Sequence, residues 1–388
     1  MNSKLTTLAL LALIGTSTSS LGATWQVELD GSGDFTDIQD AVDASAAGDT
    51  VLIGLGRFDT IRAVPGPSPG YFQYAIVGIT QDDLTIIGSG RGVTIIGLEF
   101  QDSYYGIDYN GIGCLHGYEC TIKNLTIEHV YCGVYWSFGG LELEGCDIKG
   151  EGPFFTGISA LCDRGLSVVD CHFELTGPNT FGIINDSPNA CSEIRHCRFV
   201  GGAPFSGRGL SSTILEDCTF ESSRSGVSFT HRGTGFLRNC QFNDCGASSV
   251  LLRNQAHLQL NDCSIEGGEM GVVVADTSSL VGTSNVIANT TDIGLWIRSQ
   301  SVVNLTNSHL LPVSGPAVKC SFFFDEPDIF QELTHNFWGT NNPAEIAAMI
   351  VDGNDDPSIH SFINFMPFAG QPVSTESMTW DGVKALFR

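Results

Sequence analysis

Between Cys146 and Cys263 the chain repeats one phrase in which apolar and polar positions alternate: L-E-G-Cys146-D-I, V-V-D-Cys171-H-F, I-R-H-Cys197-R-F, L-E-D-Cys218-T-F, L-R-N-Cys240-Q-F and L-N-D-Cys263-S-I. The steps between these cysteines are 25, 26, 21, 22 and 23 residues. A self-similar period of that size marks a solenoid, in which each unit buries its apolar side by stacking on its neighbours. A second phrase, Gly followed by alternating aliphatic residues, recurs at Gly226-Val227-Ser228-Phe229, Gly271-Val272-Val273-Val274 and Gly294-Leu295-Trp296-Ile297. Both phrases have the period of two that strands require. The pattern predicts coils of two or three short strands whose equivalents pair in parallel, a single-stranded parallel β-helix of about ten coils. Coils continue to Asn307, where the repeat survives while the cysteine does not, with Ser284 and Ser308 read at the Cys position.

Upstream, Trp25 to Leu29 predicts a strand. Thr36 and Gln39 form a capping box for an amphipathic helix with Ile38, Ala41 and Val42 on its apolar face. Such a helix would cap the open end of the solenoid. Three prolines between Pro65 and Tyr74 predict a loop bulging from an early coil. Glycines at 106, 111, 113 and 117 predict a turn-rich excursion. Near the C-terminus, His335-Asn-Phe-Trp-Gly-Thr340 leads to a helix at Pro343 to Ile350, then Asp352-Gly-Asn-Asp-Asp-Pro357 and a last strand around Ile363.

The run Val27 to Ala44, V-E-L-D-G-S-G-D-F-T-D-I-Q-D-A-V-D-A, followed by Gly56-Arg57-Phe58, resembles the N-terminal cap and first coil of the pectin lyase-like right-handed β-helix superfamily. It is especially similar to pectin methylesterases and to bacterial exported β-helix proteins. The resemblance implies an all-β, right-handed parallel β-helix and a polysaccharide as partner. Its activities include lyases, hydrolases and esterases, and the same fold carries non-catalytic adhesins. Pectin methylesterases carry G-x-Y-x-E in the first coil, where this chain has Gly56-Arg57-Phe58-Asp59-Thr60. The N-T-D and G-H-G phrases of polygalacturonases and the W-I-D-H phrase of pectate lyases are not found in it.

Composition adds a compartment and excludes some partners. Lys4, the apolar run Leu8 to Ile14 and the small-residue exit at Gly22-Ala23 have the form of a secretory leader over residues 1–23. The β-helix is expected over 24–370, with a linker and amphipathic tail over 371–388. That tail carries Trp380, Val383, Leu386 and Phe387 on one side, suited to capping the solenoid or to docking. The protein is therefore expected to be secreted or held at the cell surface, as a monomer without a transmembrane segment. With 18 basic and 43 acidic residues, a net charge of −25 argues against nucleic acid and anionic membranes.

The thirteen cysteines divide into the six-membered column, expected to be buried thiols, and seven others. Among the latter, Cys114 with Cys120 and Cys162 with Cys191 are the disulfide candidates. A straight column cannot give the tetrahedral convergence that a metal needs. Alternate oxygen ligands at Asp352, Asn354 and Asp356 offer a weak Ca²⁺ site, with a self-capped structural turn as the alternative and no other cofactor implied.

Aligning the glycines of the second phrase puts polar and aromatic residues on one outward face. Asp186, His231, Arg232 and Arg253 are the candidate catalytic set, with Asp186 as acid or base and the arginines neutralising a uronate. Asp108, Tyr135, Asp163, Arg164, Trp296 and Arg298 are the candidate substrate contacts. The functional expectation is an exported protein that binds or processes an extracellular polysaccharide or cell-surface glycan. A structural or adhesive surface protein is the alternative.

Overall fold

A computed structural model describes residues 22–65, 70, 72–100, 109–151, 153–188, 190–311, 314–323 and 328–373. The leader and the amphipathic tail fall almost wholly outside the described residues, as does Asp108. Three parallel sheets wind along one axis, of 14, 11 and 13 strands in chain order. One coil shows the plan: Gly140–Glu144 joins the first sheet, Asp147–Gly150 the second and Phe155–Leu161 the third. The next coil repeats it in register, with Leu141 opposite Leu166, Ile148 opposite Phe173 and Ile158 opposite Ile183. The eleven strands of the second sheet slightly exceed the ten coils expected.

The cysteine phrase is two strands rather than one, hinged at the residue before the Cys. Gly145, Asp170, His196, Asp217, Asn239, Asp262, Ser284 and Asn307 all take φ between 49° and 63°. This left-handed region suits Gly, Asn and Asp, whose short side chains tolerate it or bond locally, and that explains most of the residues found there. The following Cys drops into the core at the corner. Its thiol donates to the carbonyl two residues back, as from Cys197 to Arg195 (3.2 Å) and from Cys218 to Glu216 (3.3 Å). Two residues on, Phe173, Phe199, Phe220 and Phe242 stack with centroids 4.5, 5.1 and 4.6 Å apart.

Register corrects one assignment. Ile265 pairs with Ile287, so Asn285, not Ser284, stands where Cys263 stands one coil earlier. From there the thiol column becomes a buried polar ladder. The Cys263 N–H donates to Asn285 Oδ1 (3.0 Å), the Asn285 N–H to Ser308 Oγ (3.0 Å) and the Ser308 N–H to Asn336 Oδ1 (2.8 Å). Asn285 Nδ2 also donates to the Leu260 carbonyl (2.9 Å). Each side chain of this ladder thus has a partner, as burial demands.

The glycine of the second phrase is a close-approach residue. A Cβ on Gly133 would lie 2.5 Å from the Gly157 carbonyl oxygen, and one on Gly157 as close to that of Gly182. Gly111 belongs to the same column, so from Tyr109 on the expected excursion is regular coil, Gly106 lying outside the described residues: Tyr109–Cys114 lies in the third sheet and Cys120–Lys123 in the first. The proline-rich stretch is flanked by two paired strands, with residues 66–69 and 71 outside the described residues. Arg62–Pro65 and Phe72–Gly78 pair antiparallel, so a hairpin leaves the early coil, and Pro65 is tolerated because it ends the outermost strand. The N-terminal helix, Ile38–Ala44, is capped by Asp37 rather than Thr36, its side chain accepting from the Gln39 N–H (2.8 Å). Gln39 turns away to bond both backbone groups of Gly78 (3.0 and 2.7 Å) and so ties the cap to the coils. The later helix, Pro343–Ala348, starts at Asn342 and buries Ile346.

Neither expected disulfide is formed: all thirteen cysteines are free thiols, and Cys191 alone is exposed. Cys114 ends a third-sheet strand while Cys120 begins a first-sheet strand. Cys162 is buried at a corner, where its N–H donates to Ser187 Oγ (2.9 Å), whereas Cys191 opens a first-sheet strand on the outer side. A thiol reagent at neutral pH is expected to modify Cys191 alone in the native protein and all thirteen after unfolding without reductant. Fewer than thirteen after unfolding would reveal a disulfide.

Candidate functional site

Where the third sheet hands the chain to the first, successive coils place two consecutive residues in the left-handed region: His231-Arg232, Asn254-Gln255, Asp276-Thr277 and Ser299-Gln300. Backbone bonds tie these corners together, from the Arg232 N–H to the Asn254 carbonyl (3.0 Å) and from the Gln255 N–H to the Asp276 carbonyl (2.9 Å). The side chains at the turn are thereby pushed outward and stacked along the axis. They enclose an open groove of about 710 Å³ lined by Leu210, His231, Arg232, Asn254, Gln255, Asp276, Thr277 and Ser299.

Inside the groove His231 Nδ1 lies 3.1 Å from Thr230 Oγ1 and Nε2 lies 3.4 Å from Asn254 Nδ2. An amide nitrogen can only donate, so this network leaves Nε2 as the acceptor and puts the ring proton on Nδ1. Arg232 Nε donates to Gln255 Oε1 (2.9 Å), which orients its guanidinium along the groove. Asp276, a residue the sequence reading passed over, is the carboxylate of the groove, two coils beyond His231.

The residues immediately before these corners form a second row. Strand register sets Asp186, Arg208, Thr230, Arg253, Ala275 and Arg298 one after another on successive coils. Asp186 thus stands two coils from His231 and three from Arg253, roughly 10 and 14 Å at the spacing of paired strands. No side-chain hydrogen bond or ion pair joins it to His231, Arg232 or Arg253 among the described residues. The four proposed catalytic residues are therefore not one constellation. His231 and Arg232 share the groove, Arg253 borders it, and Asp186 lies apart.

The expected substrate contacts are more scattered. Trp296 is partly exposed, but Arg298 covers one ring face at 4.3 Å, and its Nε1 donates to Ser321 Oγ (2.8 Å). Arg298 also lies 4.7 Å from the Phe322 ring, so two aromatic faces hold the guanidinium in place. Tyr135 occupies the outward row of the third sheet seven coils from Trp296. Asp163 accepts from the Gly139 N–H (2.7 Å), and Arg164 pairs with Glu119 (2.9 Å) on the first-sheet side. Both have structural partners away from the groove.

Charge singles out the same edge. Arg57, Arg62, Arg91, Arg164, Arg195, Arg198 and Arg238 each have a carboxylate partner. Arg208, Arg232, Arg253 and Arg298 have none among the described residues, and all four lie on this corner; Arg224, away from it, also lacks one, but its guanidinium donates to the Pro178 carbonyl (2.7 Å). In a protein of net charge −25, a run of unneutralised guanidinium groups along one edge is a local anion-attracting field.

Residues 205–323, which contain this corner, match the family model described as the right handed beta helix region. The fold is a right-handed parallel β-helix. Among solved structures the β-helix is similar to the mannuronan C-5 epimerase AlgE4 A-module of Azotobacter vinelandii, at 13% identity and a TM-score of 0.48 over 86% of this chain and 92% of that one. It is also similar to the catalytic unit of a GH87 alpha-1,3-glucanase from Streptomyces thermodiastaticus, at 13% identity and a TM-score of 0.47 over 88% of this chain and 67% of that one. A mannuronic acid specific family 6 polysaccharide lyase from human gut microbiota gives 9% identity and a TM-score of 0.44, covering 89% and 91%. No curated protein matches the β-helix by sequence.

No described helix is long and apolar enough to cross a membrane. No group of three or more His, Cys, Asp and Glu side chains converges as a metal would need, among the described residues. In the Asp352 to Asp356 turn, Asp352 is buried and its two oxygens accept from the N–H groups of Asn354 and Ile363 (both 2.8 Å). Those oxygens serve the turn and the last strand.

Proposed function

We propose that the protein binds and processes a polysaccharide laid along this corner, parallel to the solenoid axis, with His231 as its proton-transferring group. The observation that carries the reading is the run of arginines without carboxylate partners beside a groove that holds an imidazole. An open groove running across successive coils suits a chain rather than a compact ligand. His231 Nε2 is the unprotonated ring nitrogen and can act as a general base once a sugar hydroxyl displaces its long contact with Asn254 (3.4 Å), while Thr230 holds Nδ1. Arg232, beside it, would balance negative charge on the sugar or on the reacting oxygen. With the leader expected over residues 1–23, such a glycan would be met outside the cell.

The test is incubation with a panel of uronic and neutral polysaccharides, following both binding and released oligosaccharides. Product release is expected from an acidic polysaccharide, and His231→Ala is expected to reduce its rate by about a hundredfold or more while leaving binding in place. Binding without release from any member would favour the adhesive alternative. Release that survives His231→Ala would move the chemistry elsewhere.

A further inference from the structure

The row just before the corner has a period of its own. Arg208, Arg253 and Arg298 occupy alternate coils, separated by Thr230 and Ala275. At the spacing of paired strands the guanidinium-bearing positions recur every ~10 Å and span ~19 Å in all. We propose that these three arginines form a comb that recognises an extended anionic glycan by negative charge presented at every second sugar. This rests on the polysaccharide reading and adds the substrate's charge pattern to it.

A pyranose ring in an extended chain advances by close to one coil spacing, so alternate coils meet alternate rings. A guanidinium can grip a carboxylate with two parallel hydrogen bonds, which rewards a matching repeat. The three side chains are available for that role. Arg253 is exposed and makes no side-chain hydrogen bond or ion pair among the described residues. The Arg208 side chain donates to Ser206 Oγ (3.3 Å) and has no ion pair among the described residues, and Arg298 is held between Trp296 and Phe322. Within the row itself Thr230 and Ala275 offer no cation: Arg232, on the Thr230 coil, lies beyond the row and is turned to Gln255 (2.9 Å), and Asp276 follows Ala275 directly. A carboxylate facing Thr230 or Ala275 would lose water without gaining a cationic partner.

Two kinds of chain present this pattern. In one, uronate alternates with a neutral sugar. In the other, every sugar is a uronate, but a twofold twist turns alternate carboxylates away from the protein. Oligomers of hyaluronan, charged on every second ring, and of polygalacturonate, charged on every ring, separate these sources when binding is measured by calorimetry as a function of length. A neutral galactan serves as control.

Affinity is expected to rise in steps of two rings and to level off once the oligomer spans from Arg208 to Arg298, at about five rings. Removing the middle or an end tooth, in Arg253→Gln or Arg298→Gln, is expected to weaken long oligomers roughly tenfold. Arg298→Gln should also bring the plateau in by two rings. Stepwise binding of hyaluronan alone assigns the alternating chain, and stepwise binding of both assigns a surface that also accepts the twisted uronate. The comb is overturned if anionic oligomers bind with a smooth dependence on length, or if the arginine variants bind them unchanged. Absence of binding to every glycan, charged or neutral, would overturn the polysaccharide reading itself.

Discussion

Phe220→Ala is expected to destabilise the protein by about 3–5 kcal/mol, one of the largest effects available to a single substitution in this fold. Phe220 is fully buried and stacks on Phe199 (5.1 Å, 8° between planes) and Phe242 (4.6 Å, 12°). Truncation removes the transfer energy of the ring and leaves a cavity that neighbouring coils cannot fill, because the ladder above and below is pinned by strand register. Two ring pairs are also lost, at about 0.5–1.5 kcal/mol each. Urea denaturation followed by circular dichroism measures the change. Phe236→Ala is the control: Phe236 lies on the outer face of the first sheet and is 40% exposed, so its loss should cost far less. A Phe220→Ala effect no larger than that of Phe236→Ala would show that neither the burial nor the stacking of Phe220 is a main source of stability.

The coil architecture was legible because a stacked solenoid must repeat its inward residues. Cys and Phe two residues apart recur wherever the first sheet turns into the second. The Gly of the other phrase recurs wherever neighbouring backbones approach too closely for a Cβ. The register slip at Ser284 was not legible from residue type, since Ser resembles Cys and Asn does not. What Asn285 preserves is the inward corner position, and its amide replaces thiol packing with a bond to the next coil. The expected disulfides failed for a related reason. Spacing along the chain does not reveal that Cys162 turns inward while Cys191 faces out.

The groove was half legible. His231 and Arg232 were found because they follow a phrase with its glycine intact. Arg208 was missed because its coil has Pro204 where neighbouring coils have Gly182 and Gly226, so alignment on glycine passed over it. Asn254 and Asp276 lie beyond the strand ends, in the paired left-handed residues where alternation stops carrying information. Asp186 looked central because it follows directly on a strand, Thr180–Asn185, that carries the glycine of the second phrase. Only the register of intervening coils shows how far it stands from His231.

Alkaline pH is expected to unfold the protein well before its lysines and tyrosines are fully titrated. Burial pushes the thiols of Cys132, Cys162 and Cys320 up to about 12, against an ordinary value of 9.0. A thiol whose folded value is raised stays protonated in the native state while the unfolded chain gives up its proton. Below pH 9 both states hold that proton, and the full stabilisation is present. Above it the unfolded state binds fewer protons, so stability falls until the folded value is passed. Each such thiol loses about 1 kcal/mol between pH 9 and 10, where the unfolded thiol is still only partly ionised, so the three together remove about 3 kcal/mol there and about 4 kcal/mol in the next pH unit. That is a large share of the ~5–15 kcal/mol typical of a domain. Denaturation under reductant across this range tests it, with the triple variant Cys132→Ala, Cys162→Ala, Cys320→Ala as comparison. Truncation lowers stability at every pH but removes these three titrations, so the variant's alkaline slope should be shallower by about 3–4 kcal/mol per pH unit. Parallel slopes in the two proteins would mean that these thiols do not govern the alkaline limit.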